Sequence, residues 1–348
     1  MIFKFGAERA VFVSAAAALF LFSPIPNAAA ARLKRPDPLE ALRKSLEGPA
    51  VPYQGEVKIQ NHARQSREIS SVVMNVFWAN DSHYHREIKD KAGNLRQVIV
   101  ADGGNEWIYD PEDRKAWKGP IPADSRGEIE SELRLISANY AVKISPGRRI
   151  AGRPTWLIEF KSRATGALAR RLWLDRQYWL SLESELFRPN RKVGSSMRFT
   201  SVSFNPELPK TLFAFKPPAG WQIIPRLAPR KISPENGSAA GGARELPAWL
   251  PSGYAFESED ALRGGKNPVW HDRFSDGINV LSLFQCSDEV QLDFGTTGAE
   301  PVQMASTHAK LAWTQDGLVL SWSRGGRRFV LIGPLDLTAI ERVAESVP

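Results

Sequence analysis

The sequence predicts a mainly β protein of the α+β class, arranged as two domains. Three observations carry that prediction. Apolar and polar residues alternate with a period of two in many short runs, the pattern of half-buried strands. Turn clusters such as Lys91-Ala92-Gly93-Asn94 and Asp102-Gly103-Gly104 separate these runs, as in an antiparallel meander. Between Arg226 and Glu245 the periodicity stops in a stretch dominated by Pro, Gly, Ser and Ala, which reads as a linker. The expected boundaries are therefore a leader over residues 1–30, a first domain over 31–225, the linker over 226–245 and a second domain over 246–348.

The chain has 348 residues, 43% of them hydrophobic and 24% charged, an ordinary globular composition with length enough for two cores. Its start differs. Lys4 and Arg9 precede the apolar run Val11 to Phe22, Pro24 and Pro26 break it, and Asn27-Ala28-Ala29-Ala30 supplies small residues. That order predicts a secretory signal cut after Ala30 and export to the periplasm. The run is short for a bilayer span, and no other run approaches spanning length. The single cysteine, Cys286, leaves no internal disulfide framework and reads as a small core hydrophobe. An exported chain of net charge +8 is poorly placed to meet nucleic acid. Its basic groups suit anionic lipid, lipopolysaccharide phosphates or an acidic protein segment.

Along the chain, Asp37-Pro38-Leu39-Glu40 predicts a helix start with Leu39, Leu42 and Leu46 on one face. Strands are expected from Tyr53, from Val72 to Trp78, from His83 to Lys89, from Leu95 to Ala101 and at Trp107 to Tyr109. Ser125-Arg126-Gly127-Glu128 has capping-box spacing and starts a helix whose apolar side carries Ile129, Leu133, Ile136 and Tyr140. Strands resume at Val142, at Trp156 to Lys161 and in the hairpin Ala167 to Phe187. There Asp175 to Tyr178 makes the turn. Leu180, Leu182 and Leu186 point one way, and Ser181, Glu183 and Glu185 point to water. Met197 to Phe204 follows, and Phe213 to Trp221 closes the unit. About ten strands curl toward a barrel, with the helices over its open mouth. In the second domain further strands and turns lead to a helix expected to start at Thr338, with Glu341 completing the cap.

Phosphate-loop, dinucleotide and nucleophile-elbow motifs are missing, so no cofactor and no enzymatic activity are expected. His83 and His85 share a strand face but lack further ligands, so no metal is expected. The eleven tryptophans are more informative. Many fall in the first domain, and a sheet wrapped around an apolar cavity would use them. The strand residues read as lining it are Val57, Ile59, Met74, Val76, Trp78, Trp107 and Tyr109. Ile129, Leu133 and Ile136 are expected to face the same concave side from the helix.

Several stretches carry a family resemblance. Ala151-Gly152-Arg153-Pro154 leads into TWLIEF, RRLWLD is followed by YWLSLESEL, and LPSGYAF precedes HDRFSDGINVLSLF. In that order they resemble the MucB/RseB regulators of the envelope-stress sigma factor, whose N-terminal domain is similar to the LolA/LolB lipoprotein carriers. The segment VIVADGGNEWIYDPEDRKAW is similar to the carrier sequences generally. The resemblance implies an unclosed antiparallel barrel plugged by helices and a smaller C-terminal α+β domain. It implies binding to the periplasmic part of a membrane-bound anti-sigma factor, released when lipid, lipopolysaccharide or an acylated protein occupies the barrel. Arg324, Arg327 and Arg328 are read as docking charges for that partner; the plainer reading is that they keep a hairpin tip soluble. A periplasmic carrier of lipoproteins or other acylated cargo is the alternative function. Contact with the membrane would be peripheral in either case.

Overall fold

In the computed structural model, residues 2–4 and 34–348 are described, apart from 63–68, 113, 122–125, 189–191, 226–229, 232–243, 264–267, 294–298, 305–306 and 315–316. The expected leader, its cleavage point and the Ser125 cap lie outside the described residues, except Ile2–Lys4 (β1), which pairs in parallel with Gln291–Asp293 (β18). Among the described residues, no helix is long and apolar enough to cross a membrane.

The first sheet has twelve strands. Tyr53–His62 (β2), Ile69–Asn80 (β3), His83–Lys89 (β4), Leu95–Asp102 (β5), Asn105–Asp110 (β6) and Lys115–Pro120 (β7) run as a meander. The chain then crosses to the far edge through the helix Arg126–Asn139 (α2). It returns through Tyr140–Pro146 (β8), Thr155–Ser162 (β9), Leu168–Asp175 (β10), Ser181–Phe187 (β11) and Val193–Phe204 (β12). The last of these pairs with β2, joining the two meanders. The 3-10 turn Lys210–Phe213 follows, and Gln222–Pro225 (β13) adds to β7 in parallel. β13 and β8 are the two edges, so the sheet is not closed on itself.

Local chemistry sets the element ends. The side chain of Asp37 accepts from the amides of Leu39 and Glu40 at 2.9 and 3.0 Å, and Pro38 opens the helix Pro38–Leu46 (α1). Ala41 and Leu42 are its buried residues. In the β10–β11 hairpin, Asp175 accepts from the amides of Gln177 and Tyr178, both at 2.9 Å. The Arg153 guanidinium holds the same carboxylate at 2.8 Å. The register shifts at Trp173/Leu174, and beside it one expectation is corrected. Glu183 is buried, and its carboxylate meets Arg148 at 2.7 Å. Arg148 itself lies over the Trp173 ring. Glu183 pairs with Arg198 and Glu185 with Ser196, so Glu183 keeps the face expected of it and is covered there by Arg148.

The second sheet has eight strands. They are Arg230–Lys231 (β14), Ala255–Arg263 (β15), Val269–Ser275 (β16), Val280–Ser287 (β17), Glu300–Gln303 (β19), His308–Thr314 (β20), Gly317–Arg324 (β21) and Arg327–Gly333 (β22). The helix Leu337–Glu345 (α3) begins one residue before Thr338, because Asp336 caps it by accepting from the Ala339 amide at 2.9 Å. Ile340 and Val343 bury fully among Leu281, Leu283, Leu318, Phe329 and Leu331.

The chain divides into two compact units, residues 13–133 with 140–226, and residues 1–12 with 134–139 and 227–348. The last residues of α2 count with the second. There the Asn139 amide donates to the carbonyls of Gly253 and Asp276 at 2.8 and 3.0 Å.

Candidate functional site

Directly paired residues on neighbouring strands share a face, so the register sorts every candidate. Val57 pairs with Met74, and Tyr53 pairs with Trp78. The two rings stack 4.8 Å apart. Val57, Met74, Val76 and Trp78 belong to one buried cluster with Tyr84, Ala101, Met197 and Phe199, and part-buried Ile59 packs against it. The face carrying this cluster is called the inner face below.

Trp107 and Tyr109 do not belong to it. Trp78, Tyr84, Ala101 and Glu106 form one cross-strand row, which places Trp107, with Val100 and His85, on the opposite face. There Trp107 meets Phe215 with ring centroids 5.3 Å apart. Tyr109 stacks on Phe215 at 4.2 Å and meets Trp221 edge-on at 5.6 Å. The segment after β12 folds over this outer face. His85 bonds the Leu212 carbonyl through Nδ1 at 2.7 Å, and His83 meets the Phe213 ring. The two histidines hold that strap, and the described residues contain no cluster of three metal-ligating side chains.

On α2, Ile129, Leu133 and Ile136 are all buried. Glu132 acts electrostatically on Arg170 of β10, an inner-face residue by its pairing with Leu186 and Phe160. Burial draws the Arg170 pKa below the usual guanidinium value, and Glu132 opposes that shift. Arg43 of α1 pairs with Glu130. Ile136 has a different neighbour. A Cβ on Gly277 would stand 2.7 Å from its amide nitrogen, so the glycine is what admits the helix backbone.

The three arginines read as docking charges are engaged within their own unit. Arg324 donates to the carbonyls of Val347 and Pro348. Arg328 donates to the Val290 carbonyl at 3.0 Å. Arg327 lies 3.7 Å from Glu245.

The sequence reading passed over one part of the inner face. Val76, Arg86, Ile99, Ile108 and Trp117 form a row across β3 to β7. Beyond Val76 its members are only partly buried, as are Ile88 and Gln97 beside them. Arg86 lies over the Tyr84 ring at 4.8 Å. Its Nε and the Oε1 of Gln97 are buried and have no hydrogen-bond partner among the described residues. Tyr84 donates its hydroxyl to Glu106. The signal was present in HYHREIK, where an arginine stands between Tyr84 and Ile88 in the apolar phase.

The fold and this face define a class: an open antiparallel sheet presenting one apolar side, followed by a second α+β unit. Residues 94–216 match the family described as the MucB/RseB N-terminal domain. The fold extends the likeness. The solved MucB in complex with MucA(peri) superposes with a TM-score of 0.54 at 17% identity, over 90% of this chain and 98% of that one. The Pseudomonas aeruginosa MucA/MucB complex gives 0.57 at 18%, over 90% and 99%. An uncharacterised protein of Methanocaldococcus jannaschii is 21% identical over 263 residues, 72% of this chain and 76% of its own.

Proposed function

We propose that the protein is a periplasmic regulator that holds the external segment of a membrane-bound anti-sigma factor, and that a lipid or acylated ligand on the inner face controls the hold. The observation that carries this reading is a likeness over 90% of the chain, across both sheets, to MucB solved with MucA. The ligand half is supported by the row from Ile99 to Trp117, apolar residues left part-exposed on the face that elsewhere forms the core. Apolar side chains at a partly open surface suit acyl chains.

The test is binding. The external domain of a one-span membrane protein encoded beside this gene is expected to bind the full chain, measured by calorimetry. Adding a lipid carrying a single acyl chain should then weaken it. No binding by such a domain overturns the regulatory reading, and binding indifferent to lipid overturns the ligand half.

A further inference from the structure

We propose that Arg86 and Gln97 form a head-group site on the inner face, taking a single-chain phospholipid with a phosphate and a free hydroxyl. The assignment rests on the ligand half of the function proposed above and adds the ligand's chemistry and the residues that read it.

Arg86 stands in the apolar phase of β4, between Tyr84 and Ile88, and pairs with Val76 on one side and Ile99 on the other. A guanidinium there loses solvation, and its fork of donors has to be met by acceptors. Its Nε is buried and unmet among the described residues. The acidic group nearest in the pattern, Glu106, accepts from the Tyr84 hydroxyl. Tyr84 instead offers Arg86 its ring at 4.8 Å, which fixes the guanidinium plane without using its donors. A planar fork held this way suits bidentate contact with phosphate. Arg170, the other inner-face arginine treated above, differs: it has Glu132 as a charge partner and donates to Ser184 at 3.4 Å.

Gln97 supplies the second half. It pairs with Ile88, one step along β5 from Ile99, the partner of Arg86. Its Oε1 is a buried acceptor without a donor. A phosphate oxygen cannot satisfy an acceptor, whereas a hydroxyl can. One head group bearing both answers both residues, and Ile88, Ile99, Ile108 and Trp117 offer the apolar surface for its chain.

The experiment titrates the full-length mature chain with a monoacylglycerol phosphate and with the monoacylglycerol of the same chain length, following tryptophan fluorescence. The phosphate-bearing lipid is expected to bind roughly ten- to hundredfold tighter, the range for a hydrogen bond to a charged group. Arg86→Met should abolish that ratio and leave the affinity for the uncharged lipid unchanged. Its thermal midpoint should stay level or rise, because a buried donor without a partner is removed. Gln97→Leu should weaken both lipids alike, since both carry the hydroxyl. Arg170→Gln should leave the ratio intact. Equal binding of the two lipids by the native chain overturns the head-group site while sparing the ligand half of the function. Failure of both lipids to bind overturns both readings. A ratio lost in Arg170→Gln but kept in Arg86→Met, or a lowered midpoint in Arg86→Met, overturns the assignment to Arg86.

Discussion

The Arg86–Gln97 pair on the inner face of the first sheet and the Asp272 network of the second handle buried polar groups in opposite ways. On the first, Arg86 and Gln97 sit among isoleucines with buried atoms unmet. On the second, Asp272 has no exposed side-chain surface, yet it is fully engaged: Arg244 reaches one oxygen at 2.6 Å and Gln285 the other at 2.8 Å. Glu259 also pairs with Arg244, and Gln285 accepts from the Glu245 amide at 3.0 Å. A buried network in which each member is met specifies one packing, whereas an unmet group is a cost retained for some other reason. The comparison teaches that the Asp272 network is complete as it stands, whereas Arg86 and Gln97 leave room for something else; among the described residues, single unmet atoms such as Trp322 Nε1 also occur in the second core.

The comparison breaks most readily in the second core. Phe329 is fully buried there, stacked on Trp322 at 5.2 Å. Phe329→Ala is expected to cost about 3–5 kcal/mol in urea denaturation. A loss near zero would mean that the second sheet is as loosely packed as the row from Ile99 to Trp117.

The network comes next. Arg244→Ala leaves the Asp272 carboxylate buried without its cation and should cost about 3 kcal/mol near neutral pH. Burial, the largest cause, raises the Asp272 pKa from 3.8 to about 6, against the lowering effect of Arg244. The folded state therefore binds this proton more readily than the unfolded chain. The contribution to stability is complete below about pH 4 and is lost as pH rises through about 6. Asp272→Asn should flatten that part of the stability-against-pH curve, measured as the difference from the native chain. An unchanged curve would remove the group from the account.

Smaller effects sharpen the contrast. Ile108 is part-exposed on the inner face, so Ile108→Ala should cost about 1 kcal/mol or less while weakening binding of a monoacylglycerol. A loss as large as that of Phe329→Ala would show a face packed solid and closed to ligands. Smallest of all is Arg327→Ala. Its pair with Glu245 has both side chains about a third exposed, so less than about 1 kcal/mol is expected from thermal unfolding. If the change instead slows association with the anti-sigma domain, the arginine is a docking charge after all.

Much of the architecture was legible in the sequence, and the misses have particular causes. Asp37 followed by Pro38 announced α1, because a cap acts within three residues of itself. Cap chemistry also explains the small error at α3, where both Asp336 and Thr338 qualify and the hydrogen bond goes to Asp336. Trp107 and Tyr109 were placed on the wrong face because alternation orders residues within one strand only. The relation between strands is set by the turn, here with Asp102 accepting from the amides of Gly104 and Asn105 at 3.0 and 2.7 Å. Glu183 reads as solvent-facing because no local pattern shows that Arg148, seated on the Trp173 ring, covers its carboxylate.

By itself, then, the sequence determined where strands and helices run, since periodicity and capping are local. It also determined that the chain resembles the MucB/RseB family. Only the tertiary structure decided which aromatics meet the strap around Phe215 and which line the inner face. It alone decided that Arg324 is tied to the chain's own last carbonyls and that Arg86 is left without an acceptor for its Nε. Each of those outcomes depends on residues far away in the chain, and a side chain's partner is chosen by register and packing that no local pattern encodes.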